Sequence, residues 1–147
     1  MKTLWNQDNH HELRDRLARI TPESAALWGR MTAPQMIVHL SDAYKMAMGD
    51  LPCKPKKLPL RFFPLKQLVI YWLPFPKNAP TAPELVSRAP ADWTTDVTEL
   101  RTLMDRIASR GPSACSVEHP AFGRVSGKGW GVLCYKHADH HLRQFGV

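Results

Sequence analysis

The 147-residue chain has only three cysteines, Cys53, Cys115 and Cys134, an odd number lying far apart. Their spacing supports neither a zinc knot nor a redox dithiol motif, and thiols of this kind point to a reducing compartment, the cytoplasm. Long hydrophobic runs are missing as well. The greasiest stretch, residues 62–76, contains Lys66 and Gln67 and is cut by Pro64 and Pro74, leaving a proline-free interval of nine residues. A helix that spans a bilayer needs about 20. At the N-terminus, MKTLWNQDNHHELRD turns polar after two apolar residues, so the apolar core of an export signal is not expected. Acidic residues are also scarce, 13 against 20 Lys and Arg, for a net charge of +7. That imbalance affects solubility and attraction to polyanions without naming a partner. There is no internal repeat and no low-complexity tract. The length suits one domain over residues 1–147.

Proline is abundant, and its placement divides the chain. Nine of the thirteen prolines fall between Leu51 and Pro90, a density that no long helix survives, so this segment reads as an extended crossover. Helical patterning surrounds it. Residues 8–20 space Leu13, Leu17 and Ile20 along one face of an amphipathic helix. Thr21-Pro22-Glu23-Ser24 resembles a helix start, predicting a short turn that carries Leu27 and Trp28 before Gly29. Thr32, Pro34 and Gln35 form a capping-box-like start for a helix over 33–48, which Gly49 should stop. Residues 94–110 place Val97, Leu100, Leu103, Met104 and Ile107 on one side, and Ser126 caps a last helix over 127–144. Within the crossover, residues 65–73 form either a short helix or an apolar strap, which periodicity does not decide. The fold class that follows is all-α: a four-helix bundle with a long proline-rich crossover between the second and third helices.

The chemistry is carried by histidine. Seven are scattered along the chain, and the last helix ends in KHADHHLRQF. Residues four apart on a helix lie within about 40° of each other, so His137 and His141 can direct their imidazoles to one ion. His141 continues the stripe Trp130, Cys134, His137, whereas His140 shares its side with Lys136, Arg143 and Gly129. His140 is therefore a flanking residue or, at i,i+3 from His137, the alternative ligand. On the second helix, His39 falls on the stripe of Met36, Ala43 and Met46. Three imidazoles meeting unpaired in a core would each cost about 1–3 kcal/mol, and a shared cation removes that penalty. Gln35, Asp42, Asp139 and Gln144 are the polar neighbours able to orient these rings. His10 and His11, at the start of the first helix, read as solvated surface. His119, before Pro120, reads as a loop-fixing residue or one that contacts a bound molecule.

The pairing of QMIVHL with HADHHLRQF resembles the DinB-like superfamily of putative metalloenzymes. WGRMTAPQMIVHLSDA and HPAFGRVSGKGWGVLCYKHADHHLRQFGV are similar to a bacterial branch of unknown function, and the likeness covers essentially the whole chain. It implies a divalent metal held by His39, His137 and His141 in an open site. Zinc is the first expectation, with nickel, iron or manganese as alternatives. Relatives with known activities include thiol S-transferases and a mycothiol-dependent maleylpyruvate isomerase, so the resemblance implies a small-molecule substrate, with a low-molecular-weight thiol as co-substrate. No internal nucleophile competes: the serines lack a nucleophile elbow, and Cys134 reads as a small core residue. The alternative is a non-catalytic metal-binding bundle acting as an interaction module. A further rival is the basic, aromatic segment 54–75 as a surface for nucleic acid or anionic membrane. The expected arrangement there packs Phe62, Phe63, Tyr71 and Trp72 inward and disfavours nucleic acid. The same strap can also mediate a homodimer.

Overall fold

The computed structural model describes residues 1–79 and 81–147; Pro80, within the expected crossover, lies outside the described residues. The helices are α1 (Gln7–Leu17), α2 (Ala33–Met48), α3 (Leu65–Gln67), α4 (Trp93–Arg110) and α5 (Gly127–Gln144). Among the described residues there is no strand, only an isolated antiparallel bridge between His119 and Gly123. The chain is all-helical, and no described helix is long and apolar enough to cross a membrane.

Local chemistry sets the limits of each long helix. At the start of α2, Thr32 Oγ1 accepts from the Gln35 amide at 3.3 Å while Gln35 Oε1 accepts from the Thr32 amide at 2.9 Å. Gly49, at φ +85°, ends the helix in the left-handed conformation that glycine adopts without a Cβ penalty. Asp92 caps α4 one residue earlier than the sequence pattern suggests, and Ser126 caps α5 through the Gly129 amide. α1 begins after Asn6 and stops at Leu17, so Ile20 is buried from the loop that follows rather than from the helix. The helical turn expected from Thr21 through Leu27 and Trp28 is a loop instead. Ser24 Oγ accepts from the Thr21 amide at 2.9 Å while the Ser24 amide donates to the Thr21 carbonyl at 3.0 Å, closing a turn in place of a helix.

α2 packs against α4 and α5, and α1 closes the other side against the same two helices. Leu13, Ile37, Leu40, Leu100, Ile107, Trp130 and Leu142 fill the interior. The N-terminal strip comes unusually close to α5 at Gly131, where any Cβ would collide with Trp5 and Thr3. Leu4 there donates its amide to the Gly131 carbonyl at 2.9 Å.

The crossover is a largely irregular strap with a helical middle. α3 runs directly into a π-helical turn, Leu68–Trp72, which buries Ile70 against Phe122, Val132 and Leu133 of a second small core. Lys136 of α5 holds its end, donating to the carbonyls of Val69 (2.7 Å), Ile70 (3.1 Å) and Leu73 (2.6 Å). The face of α5 that bears Lys136 therefore carries the strap. Phe62, Phe63 and Trp72 correct the sequence expectation of inward packing, because all three are exposed and only Tyr71 is half-buried. Further on, Arg88 pins the returning chain across α2 and α4, bonding Asp42 at 3.0 Å and Glu99 at 2.9 Å. This sets the turn Pro83–Leu85 against α2.

Candidate metal centre

His39 sits mid-helix on α2, and its ring faces α5. Its Nδ1–H donates to the Leu85 carbonyl at 2.9 Å, and a carbonyl can only accept, so His39 Nε2 is left as a bare lone pair. A similar constraint operates on α5. Gln144 Nε2 donates to the Trp28 carbonyl at 2.8 Å, which turns Gln144 Oε1 toward His141 Nδ1, also at 2.8 Å. His141 therefore also presents an unprotonated Nε2. Both lone pairs converge on His137 Nε2, 2.9 Å from His39 Nε2 and 3.2 Å from His141 Nε2.

Three nitrogens in this arrangement are short of protons. His137 can place one Nε2–H between two acceptors and satisfy one of them, leaving the other lone pair buried without a partner. The donor set suits a cation. Two zinc–nitrogen bonds of about 2.0–2.1 Å at a tetrahedral angle set their nitrogens roughly 3.3 Å apart. Ligand atoms of His39, His137 and His141 all lie within 4.8 Å of one another, and among the described residues no other His, Cys, Asp or Glu joins them. Burial drives all three pKa values down: His141 to about 3, His137 well below the usual histidine range, and His39 in the same direction against the opposing Leu85 bond. Neutral imidazole is the form that binds a metal.

The other candidate residues are placed as follows. His140 stands outside the cluster, its ring 5.9 Å from Trp28 and 6.1 Å from Phe75. Of the four polar neighbours, Gln144 alone reaches an imidazole. Gln35 is spent on the α2 cap, Asp42 on Arg88, and Asp139 on Arg16 at 2.7 Å and on Arg143. His10 is buried, 3.1 Å from Asp105, rather than solvated, while His11 is exposed. His119 fixes its loop: its Nδ1 accepts from the amides of Ala121 (3.1 Å) and Phe122 (3.3 Å), and burial lowers its pKa to about 4. Sequence reasoning missed the Leu85 carbonyl, since a backbone acceptor in an aperiodic crossover leaves no residue-type signal.

The three histidines open onto a cavity of about 1180 Å³ between the strap and the helices. Its walls are mainly apolar, with Leu58, Val69, Phe75, Leu85, Phe122 and Leu133, and the strap forms its roof. Lys56, Arg30 and Arg88 also line it, and among the described residues no Asp or Glu does. Comparison with protein-family models, curated proteins and solved structures returns no match.

Proposed function

We infer that the chain is a divalent-metal-dependent enzyme of the DinB-like type, a four-helix bundle in which His39, His137 and His141 are the ligands. The observation that carries this reading is the convergence of three Nε2 atoms, those of buried His39 and His141 and half-buried His137, with the first two forced into the acceptor tautomer by Leu85 and Gln144. Zinc is the first expectation, with nickel, iron or manganese as alternatives. Three protein ligands leave a position for an exchangeable ligand, the arrangement of catalytic rather than closed structural sites. An ion bound here supplies Lewis acidity, which brings the pKa of a thiol or water at that position toward neutrality.

The residues of the chain do the rest. Leu85 and Gln144 hold the rings in one tautomer and orientation. The apolar walls exclude water from a substrate held beside the histidines. His119 lines the same cavity, and because its Nδ1 accepts two amide bonds, its proton resides on Nε2 as a donor. With Arg88 paired to Asp42 and Glu99, the lining keeps Lys56 and Arg30 as cations and, among the described residues, has no carboxylate, which favours a small, largely apolar substrate that carries or develops negative charge. Transfer of a low-molecular-weight thiol to an electrophile is the reaction that combines these features with the DinB-like resemblance.

The test is elemental analysis of untagged protein that has not met a chelating column. Near-stoichiometric metal is expected in the wild type and in His140→Ala, and little in His39→Ala or His141→Ala. Metal-loaded protein is then assayed with small thiols and electrophilic acceptors. A wild type that binds neither zinc nor nickel overturns the reading. Metal without turnover, with no exchangeable solvent ligand, favours the non-catalytic binding module.

A further inference from the structure

The face of the strap turned away from the cavity is apolar and uncovered. Phe62 is 69% exposed, Phe63 81% and Trp72 75%, and Leu65, Leu68 and Leu73 are exposed beside them. Leu65, Leu68 and Trp72 recur at i, i+3 and i+7 along one continuous helical segment, which gathers them on one side. The other side is already occupied by Ile70 in the core and by the bonds to Lys136. Large aromatics held outward on an anchored element call for a partner.

Charge identifies that partner. From Leu51 to Pro83 there are six basic residues, Lys54, Lys56, Lys57, Arg61, Lys66 and Lys77, and no acidic one. Among the described residues only Arg61 of the six is ion-paired, with Glu118 at 3.1 Å. Lys54, Lys57 and Lys77 are exposed; Lys77 Nζ lies 4.5 Å from the centroid of the Trp28 ring, and the Lys54 amide donates to the Glu84 carboxylate at 3.1 Å, which leaves the ammonium groups of Lys54 and Lys57 turned to solvent. We propose that the outer face of residues 54–77 docks on an anionic lipid bilayer, with Phe62, Phe63, Leu65, Leu68, Trp72 and Leu73 entering the headgroup boundary and Lys54 and Lys57 meeting lipid phosphates. Bulky apolar side chains beside lysines are the composition of an interfacial segment. A second copy of the chain fits less well, because a symmetric contact would bring two acid-free basic segments together. A nucleic acid would use the aromatic rings for stacking but gains little from three exposed leucines. The strap also roofs the cavity, so docking places the cavity's apolar interior next to the bilayer. Vesicle binding needs no metal, so this inference and the metal reading fail separately.

The experiment is co-sedimentation of the full chain with phosphatidylcholine vesicles containing about one third phosphatidylglycerol, beside vesicles of phosphatidylcholine alone. Binding is expected to the anionic vesicles, weakening steeply as salt rises. Phe63→Ser with Trp72→Ser should weaken it about tenfold or more. Lys54→Gln with Lys57→Gln should weaken it about 25-fold, roughly fivefold per charge. Circular dichroism of both variants should match the wild type, as all four side chains are exposed. No binding to anionic vesicles at low salt overturns the proposal, as does binding that both double variants retain. A strap-dependent dimer without vesicle binding, or single-stranded DNA bound more tightly than vesicles, overturns it in favour of those partners.

Discussion

A neutral imidazole has one donor and one acceptor nitrogen, and at His39 and His141 the neighbours decide which faces inward. The Leu85 carbonyl and the Gln144 amide oxygen accept the Nδ1 protons, so the converging Nε2 atoms would need no rearrangement to bind a metal. Gln144 is itself fixed by the Trp28 carbonyl, and a Cβ at Gly29 would come within 2.7 Å of its Nε2. Gln144→Ala should therefore weaken metal binding by about 10–100-fold while leaving all three ligands in place. Competition with a chromophoric chelator measures this, and Gln144→Glu, which keeps an acceptor for His141 but loses the donor to the Trp28 carbonyl, should recover only part of the loss. An unchanged affinity in the alanine variant would remove Gln144 from its orienting role. The three histidines were legible because each lies on a well-capped helix whose apolar stripe fixes its direction. Their supporting partners were not. Gln144, named with His140 as a supporting residue, was one of four polar neighbours until the fold committed the other three elsewhere, and His10 counted as surface until α4 brought Asp105 to 3.1 Å from it.

At the scale of elements, what the sequence revealed was what local interactions decide. The α2 capping box, the Gly49 stop and the Ser126 cap depend on residues within a turn of each other, so their positions follow from residue type alone. The strap depends on what lies beneath it. Its π-helical turn forms where Ile70 finds Phe122 and Leu133, and where an amine from α5, distant in sequence, takes up the carbonyls at its end. Lys136→Met should release that end. Losing these charge-assisted bonds costs on the order of 2 kcal/mol locally, which corresponds to about 30-fold faster opening of the strap. Limited trypsin digestion followed by mass spectrometry reads it directly, with cleavage at Lys66 and Lys77 accelerated and the long helices unaffected. Equal cleavage rates in variant and wild type would mean that the strap is held by its apolar face alone.

At the scale of the molecule, the same architecture that assembles the site makes the protein sensitive to acid. The cavity exists because the crossover arches over α2 and α5 and is pinned at its far end by Arg88, an arrangement no periodicity foretells. Enclosing histidines under that roof holds them neutral. His119 is the cleanest case, since its pKa falls to about 4 through burial alone and it stands outside the metal cluster. In the unfolded chain it returns to about 6.5. Between those values the unfolded state binds a proton that the folded state does not, so the stability present above about pH 6.5 is lost as pH falls toward 4. Each such group changes the free energy of unfolding by up to about 1.4 kcal/mol per pH unit. His141 and His39 shift in the same direction and steepen the slope in metal-free protein. Urea unfolding of chelator-treated protein from pH 7 to 5 should show the midpoint falling with acidification. His119→Asn retains an acceptor for the loop amides and has no proton to gain, so its curve should be shallower by the contribution of one group. Parallel curves for the two proteins would show that His119 is free to take up a proton in the folded state, and that the roof over the cavity does not seal it from water.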